Sequence, residues 1–537
     1  MAATMVKPEV AAGRSGTTIR GRHKVRALSF WVATTLPPLA MSLAASSQAA
    51  EWKISPTVNL TETYTDNVRL LPDSQKQSSF ITQLSPGLDV TAVGAQARMR
   101  INYQMQNLYY TGDANGVKTN HLLNADGNTE LVKDLFFLDG KANVSQQDQS
   151  PFAATSTNNL NLSNNRVEVR TYSASPYLRH TFDRTASAEM RYTRDSVATS
   201  STNGSTVQPN STGDHVSLTV NSGAAFQKIK WGFVYDDQKT NFNNALKALT
   251  SETTGVNFGY YLSPRFSLTA TTGYEKNNYL ALDGKNPAGA YWSAGFDWEP
   301  TERTSLVLNA GHRFYGASYG LAATQRTRAT AWNLGYHEDI TTTRQQFLVP
   351  GNIDTSNYLN QLWKSLVPDP AARQQLVDAF IRNSGLPSSL ATSINTFSNQ
   401  VFLQKSLQGS VAITGAQNTV LISLFNTRRN AQSVALGAAD PSNPNSLTNV
   451  KQTGANALWN LVFSPRTSAN FSLGYNRVDS GTTGVRDNNK TFRAAISRDL
   501  QPKLKATLEY RRNQKDSSLS VSDFRENALS VFLLLGF

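Results

Sequence analysis

Side chains that could do chemistry are few in this chain, and their spacing matches no catalytic or metal site. The chain has no Cys, which excludes disulfides, thiolate chemistry and Cys-based metal binding. Its six His residues are scattered, with no i, i+4 pair on one helix. No glycine-rich phosphate loop opens a helix after a strand, and no Ser is marked as the nucleophile of a triad. We therefore predict no catalytic residues, no metal, no cofactor and no nucleic-acid partner.

Basic residues are the more informative group. Six of them occupy the polar phase of segments in which polar and apolar residues alternate: Arg98, Arg100, Lys228, Lys230, Lys505 and Arg511. In a membrane barrel this phase faces the lumen, because an Arg facing lipid at mid-membrane costs about 2 to 4 kcal/mol. Cationic walls concentrate anionic solutes and would suit an acidic polysaccharide. Alternatively, these charges pair with carboxylates such as Glu189 and Glu509, and surplus Lys and Arg contact lipopolysaccharide phosphates outside.

Amphipathic strands are the elements that would position these side chains. In residues 97–106, Met99, Ile101 and Tyr103 alternate with polar residues on the opposite face. The same period of two returns at 186–192, 229–235, 266–274 and 504–510. A soluble β-sandwich alternates as well, so the period alone leaves two fold classes open.

Connection lengths favour a membrane barrel over a sandwich. Short turns at 182–184, 263–265, 299–301, 464–466 and 501–503 are interspersed with longer polar tracts at 149–165, 198–213 and 430–449. Outer-membrane barrels have short periplasmic turns, longer external loops and aromatic girdles. The girdle candidates are Tyr109, Tyr110, Tyr192, Tyr235, Tyr274, Tyr475 and Tyr510. The sequence therefore predicts an all-β, transmembrane, antiparallel up-and-down β-barrel with an even number of strands, about 22.

The strand count requires one additional strand between residues 336 and 408. Residues 326–336 and 408–414 are both assigned as strands that run towards the periplasmic side. An antiparallel barrel then requires a strand of opposite direction between them. We predict that strand at 341–349, after a turn at 337–339.

The N-terminal residues predict export. Five basic residues between Arg14 and Arg26 precede an apolar stretch at 27–45, and the small-x-small sequence Ser47-Gln48-Ala49 follows. This order is typical of a secretory signal peptide, here residues 1–49 with cleavage after Ala49. An anchoring helix is the alternative, but Pro37 and Pro38 interrupt the apolar stretch. Residues 1–49 hold six of the 51 Lys and Arg and one of the 38 Asp and Glu, so the barrel at 50–537 keeps a net charge of +8.

The C-terminal strand predicts how the barrel is inserted. Its apolar phase consists of Leu529, Val531, Leu533, Leu535 and Phe537. An amphipathic strand that ends in a C-terminal aromatic resembles the signal that targets bacterial barrels to the outer membrane. We therefore expect contact with the barrel assembly machinery and with outer-membrane lipid in a Gram-negative bacterium.

An insertion at 350–405 differs from the other loops and is placed outside the membrane. Asp369 and Pro370 read as the start of a helix, Leu376 and Val377 begin an apolar stripe, and Gly385 ends it. A shorter helix is predicted around 358–366. The insertion could fold over the mouth or into the lumen, or it could decorate a loop without gating anything.

Several motifs carry a resemblance to a known family: Ile54-Ser55-Pro56, Glu62-Thr63-Tyr64-Thr65-Asp66-Asn67-Val68, Leu84-Ser85-Pro86-Gly87-Leu88, Gly311-His312-Arg313-Phe314-Tyr315-Gly316 and Trp332-Asn333-Leu334-Gly335-Tyr336. With these motifs the chain resembles the outer-membrane proteins associated with the PEP-CTERM and exosortase system, which are found beside exopolysaccharide biosynthesis loci. The resemblance implies a part in exopolysaccharide export or surface assembly, and it implies no catalytic residues.

Two classes of function remain open. The first is a pore, or an export or assembly component, linked to exopolysaccharide and exosortase systems. The second is a barrel-anchored surface protein, structural or enzymatic, whose activity lies in its extracellular loops. A TonB-dependent transporter is disfavoured, because strands begin within a few residues of Glu51 and no plug domain is expected ahead of them.

Overall fold

The computed structural model describes residues 50–537 except 113, 115, 201–209, 244–246, 283, 285–286, 349–358, 361–372, 374–376, 378–399, 434–448 and 520–521. The predicted signal peptide, its cleavage site at Ala49 and most of the insertion lie outside the described residues. The two predicted helices of the insertion do too, apart from residues 359, 360, 373 and 377, which are helical. These assignments stay predictions.

Twenty-two antiparallel strands form one sheet that closes on itself. Each strand pairs with its neighbours in sequence, and β1 pairs with β22 from Thr57 with Gly536 to Thr65 with Ala528. The predicted up-and-down barrel of about 22 strands is confirmed. The strands are β1 (Glu51–Thr65), β2 (Ser79–Val93), β3 (Ala97–Gly112), β4 (Gly116–Val132), β5 (Phe136–Asp148), β6 (Arg166–Phe182), β7 (Ala186–Ser200), β8 (Ser211–Ser222), β9 (Ile229–Phe242), β10 (Leu249–Ser263), β11 (Phe266–Asn277), β12 (Ala288–Thr301), β13 (Thr304–Arg313), β14 (Gly316–Arg326), β15 (Thr330–Thr342), β16 (Val401–Thr414), β17 (Asn418–Ala431), β18 (Val450–Ser464), β19 (Thr467–Ser480), β20 (Arg486–Gln501), β21 (Leu504–Ser517) and β22 (Phe524–Gly536).

The two ends of the barrel differ in their connections. At one end, here the short-turn end, each connection has two to six residues, and β1 starts and β22 finishes there. At the other, here the long-loop end, the connections include 66–78, 149–165, 432–449 and 343–400. The contrast matches the turn and loop asymmetry that the sequence predicted.

The predicted strand at 341–349 is wrong. β14 ends at Arg326 and β15 starts at Thr330 after a turn, so residues 330–336 run towards the long-loop end, opposite to the predicted direction. β15 itself pairs antiparallel with β16, and among the described residues no further strand lies between them. Thr327 closes this turn by donating its backbone N–H to the Thr330 carbonyl at 2.8 Å, and the two hydroxyls also lie 2.8 Å apart. The turn contains neither Gly nor Pro and therefore lacks the usual signal. Thr342 ends β15, and a short helix follows, α1 (Thr343–Leu348).

The C-terminal boundary of the insertion also needs correction. β16 starts at Val401, so residues 401–405 belong to the barrel wall. Lys405 lies on the outer face and donates to Glu338 of β15 at 3.1 Å. The connection between β15 and β16 therefore comprises residues 343–400.

Large apolar side chains cover the outer face of the barrel. Trp292, Phe258, Leu424 and Leu473 are each more than half exposed, as expected for residues that face lipid. The alternating apolar residues of the last strand lie on the same face and are 38 to 60% exposed: Leu529, Val531, Leu533, Leu535 and Phe537. Six of the seven girdle tyrosines share this face; Tyr110 instead points inward and is 2% exposed.

The inner face of β10–β14 is built from small residues, including Gly255, Gly273 and Gly295. Tyr291 of β12 lies flat against this wall. A Cβ on Gly255 would be 2.1 Å from its phenol oxygen, and one on Gly273 would be 2.7 Å from its ring and 2.2 Å from the Thr254 carbonyl oxygen. Glycine at these positions lets the ring pack against the strands, because any larger residue would collide.

Side chains lock the seam between β1 and β22 at the long-loop end. The Asp66 carboxylate accepts hydrogen bonds from the backbone N–H and the side-chain amide of Asn527, at 2.7 and 2.8 Å. Asn67 donates to the Arg525 carbonyl at 3.0 Å, and Thr65 donates to Glu526 at 2.9 Å. The sequence Thr65-Asp66-Asn67, singled out above as part of a family motif, thus joins the first strand to the last.

Candidate functional site

The lumen is the candidate site, because the predicted basic residues lie on the inner face of the barrel wall. Arg98 and Arg100 share the phase of the buried Leu108 and Tyr110 of β3. Lys230 lies on the same face of β9 as Asp236, which pairs with Ser217 of β8. All three basic residues stand near the short-turn end, as do Lys228, just before β9, and Lys505, near the start of β21.

Arg511 differs from the other five because its charge is already paired in a buried network. It is 5% exposed and its guanidinium donates to Glu526 at 3.1 Å, with Glu509 at 3.9 Å. Arg511 thus lies on the inner face as predicted, and for it the alternative holds that such charges pair with carboxylates, Glu509 among them. The residue lies deep in a buried network where its charge is neutralised by its neighbours.

Ion pairs also occupy other inner-face charges. Arg179 pairs with Glu189 at 2.7 Å, Arg191 with Asp139 at 2.7 Å, and Arg493 with Glu509 at 2.6 Å. For these cations, the alternative drawn from the sequence holds. Within the described ranges, by contrast, Arg98, Lys228 and Lys230 form no ion pair. Arg98, Lys228 and Lys230 therefore form a group of inner-face cations without ion pairs to described residues near the short-turn end.

Loop 149–165, between β5 and β6, folds into the barrel. Leu160 joins an apolar cluster with Val68, Ile81, Leu108 and Tyr110, all of which are at most 6% exposed. The Tyr110 hydroxyl donates to the Leu160 carbonyl at 2.9 Å. Because its ring is buried in this cluster on the inner face, Tyr110 is not part of the outer girdle.

The same loop is also anchored to the wall beyond the β1 and β22 seam. Lys515 of β21 donates to the Ala153 carbonyl at 2.7 Å and pairs with Asp487 of β20 at 2.7 Å. Asn161 donates to Glu526 of β22 at 2.8 Å. Phe152 packs against Val450 and Val478 of β18 and β19. A single loop thus contacts strands from β18 round to β3.

Helix α1 narrows the lumen from another side. It follows β15 but reaches β6 to β9, where Phe347 and Leu348 pack against Val167, Val169 and Val197. Arg344 forms an ion pair with Asp195 of β7 and donates to Ser211 of β8 at 2.8 Å. Burial lowers the pKa of Arg344, and the Asp195 carboxylate opposes that shift.

A third connection crosses the mouth at the long-loop end. Ala281, between β11 and β12, forms an isolated β-bridge with Ser433, after β17. Leu282 donates its N–H to the Gln432 carbonyl at 3.1 Å. Among the described residues, the contacts of loop 149–165 and α1 do not extend to the small-residue wall of β10–β14.

Sequence reasoning placed the basic residues but missed both constrictions. Loop 149–165 has the Ser, Thr and Asn content of an ordinary exposed loop, and only its apolar residues Phe152, Leu160 and Leu162 mark it for burial. In the described part of the chain, no group of three His, Cys, Asp or Glu side chains is arranged to hold a metal ion. Among the described residues, no helix has the length and apolarity required to cross a membrane.

Comparison with known proteins gives structural likenesses only. No family model and no curated protein matches the chain. The FrpB iron transporter from Neisseria meningitidis is 10% identical, with 90% of this chain and 82% of that chain covered and a TM-score of 0.46. The siderophore receptor PirA from Pseudomonas aeruginosa is 10% identical, with coverage of 90% and 80% and a TM-score of 0.38. OccAB1 from Acinetobacter baumannii is 10% identical, with coverage of 92% and 99% and a TM-score of 0.32.

Proposed function

We propose that this chain forms a porin-like channel in the outer membrane of a Gram-negative bacterium and that it favours anionic solutes. The observation that carries the proposal is the set of inner-face cations near the short-turn end, of which Arg98, Lys228 and Lys230 form no ion pair with any described residue. Such charges raise the local concentration of anions in a narrow, water-filled passage. The apolar outer face and the closed sheet support a membrane-spanning position.

The solute class follows from charge and from the family resemblance. Anionic polysaccharide, or its acidic building blocks, would suit a cationic lumen. The resemblance to proteins of the PEP-CTERM and exosortase system supports a role in exopolysaccharide export or surface assembly. Deletion of the gene should then lower the surface polysaccharide of the cell, and re-expression of the protein should restore it. Unchanged polysaccharide after deletion would count against this role.

Planar-bilayer recording tests the channel. In a salt gradient, the reversal potential should indicate anion preference. Replacing Arg98, Arg100, Lys228 and Lys230 with Gln should move it towards cation preference. An unchanged potential would mean that these charges lie outside the conduction path.

A matched variant controls for the change in net charge. It carries Gln at four cations on the outer face at the long-loop end: Arg170, Arg194, Arg486 and Lys490. Both variants lose four positive charges, but only the first loses them from the inner face. The control variant should keep the reversal potential of the unmodified protein.

The rival function is a surface protein that uses the barrel as an anchor. The inward loop 149–165 and α1 favour it, because both pack against the inner wall and narrow the lumen. Deletion of residues 350–399, which leaves β16 intact, separates the two proposals. A channel should conduct at least as well after the deletion. Absence of conductance both before and after it would support the anchor.

A further inference from the structure

Arg429 is a buried cation on the inner face at the long-loop end, and it has no carboxylate partner among the described residues. It stands on the inner face of β17, two residues before the long-loop end of that strand, and it is 1% exposed. Its Nε donates to the Gln404 side-chain oxygen at 3.1 Å, and its Nη2 donates to the side-chain oxygen of Gln346 on α1. Its Nη1 is buried and has no hydrogen-bond partner among the residues that the structure describes. The guanidinium lies 5.8 Å from the ring centre of Phe402.

No acidic group in the described part of the chain neutralises this charge. Asp339, which is in register with Gln404 on the adjacent strand, lies 3.6 Å from Arg313 instead. Arg344 offers an internal comparison: it is equally buried, yet it has the Asp195 carboxylate as its partner. Burial of a guanidinium against two neutral amides is unfavourable relative to burial against an anion. Arg429 is therefore prepared for an anion that the described residues do not supply.

We propose that Arg429 is a binding site for a carboxylate carried by the transported solute, and that this carboxylate displaces Gln346. Nη1 and Nη2 form one edge of the guanidinium, and a planar carboxylate can accept from both at once. Nη2 donates to a neutral amide, and Nη1 has no hydrogen-bond partner within the described ranges. Nε would keep its bond to Gln404, so the guanidinium would stay in place while its outer edge changes partner.

Displacement of Gln346 would loosen α1. Gln346 connects α1 to β16 and β17, because it also donates to Gln404 at 2.7 Å. On its other side α1 is held by Arg344 and by the apolar contacts with Val167 and Val197. Carboxylate binding would thus remove the attachment of α1 on one side of the lumen while the other remains. Binding of the carboxylate would therefore open the constriction on the side of β16 and β17.

Calorimetry and bilayer recording with one pair of probes test this inference, whose gating step rests on the proposed channel. Glucuronate is the anionic probe, and glucose is the matched neutral sugar. Titration into the purified, folded barrel should show that glucuronate binds roughly tenfold more tightly than glucose. The reason is that its carboxylate forms charged hydrogen bonds with the guanidinium. In bilayers, glucuronate on the long-loop side should raise the open probability, and glucose should not.

Variants distinguish the site from general charge attraction. Arg429→Gln should abolish glucuronate binding while its heat-modifiable migration shows a folded barrel. Gln346→Ala removes the competing amide and should strengthen binding. Gln346→Glu places a carboxylate of the chain itself on the guanidinium, and should block glucuronate and lower the open probability. Equal binding of glucuronate by the unmodified protein and Arg429→Gln would overturn the proposal.

Failure of the channel proposal gives a different result. If the barrel does not conduct but calorimetry shows Arg429-dependent glucuronate binding, the site stands and the channel does not. If the barrel conducts but no variant changes glucuronate binding, the channel stands and the site does not.

Discussion

Replacement of Glu526 should reveal that the seam and the inward loop share one buried carboxylate. Glu526 is fully buried on the inner face of β22. It accepts hydrogen bonds from Thr65 of β1 at 2.9 Å, from Asn161 of loop 149–165 at 2.8 Å, from Asn513 at 2.7 Å and from Arg511 at 3.1 Å. All four partners donate, so an ionised carboxylate fits the site and a side chain with its own donor does not.

Glu526→Gln keeps the shape and removes the charge. Its amide group would place a donor against existing donors, and Arg511 would keep only Glu509, at 3.9 Å. Loss of one partner from a buried ion pair costs about 3 to 5 kcal/mol. The free energy of unfolding should fall by that amount. In small proteins this free energy decreases by about 1 to 3 kcal/mol per molar urea, so the urea concentration at the unfolding midpoint should fall clearly.

Urea unfolding in lipid vesicles, followed by tryptophan fluorescence, measures this change. Glu62→Gln is the matched control: Glu62 lies on the outer face of β1, where it accepts a hydrogen bond from Thr82 at 3.0 Å in an exposed setting. The control should change the free energy of unfolding by less than about 0.5 kcal/mol. If Glu526→Gln also stayed within that limit, the buried network would not stabilise the seam as argued.

Three further outcomes are expected. Lys515→Met removes the hydrogen bond to the Ala153 carbonyl, so loop 149–165 should loosen and single-channel conductance should rise; an unchanged conductance would show that the loop does not limit the passage. Gly273→Ala should lower the free energy of unfolding by about 1 to 3 kcal/mol, because its Cβ would meet the Thr254 carbonyl oxygen at 2.2 Å, whereas Gly259→Ala meets nothing closer than 3.5 Å and serves as control. Deletion of Phe537 should reduce the heat-modifiable protein in the outer membrane, and normal levels would contradict its role as an assembly signal.

Alternation within the strands, together with the lengths of the connections, was enough to predict the barrel. Because side chains alternate strictly between the two faces of a strand, the segment with Met99 and Ile101 against Arg98 and Arg100 shows which residues face lipid. Antiparallel pairing of neighbours then fixes closure and an even number of strands, since β1 starts and β22 ends at the short-turn end. The one misplaced strand arose at Thr327, where a turn forms without Gly or Pro.

Contacts across the lumen were decided only by the tertiary structure. Arg98 and Arg511 occupy the same phase in sequence, yet one forms no ion pair with the described residues and the other is buried between Glu509 and Glu526. Their surroundings come from strands that are remote in the chain and from loop 149–165, which folds inward. A period of two reports the face on which a side chain lies, but the neighbours it meets there depend on closure of the sheet. Inward folding of the loop has no period at all, because it rests on a few apolar contacts such as Leu160 with Val68 and on buried polar groups placed by the closed wall.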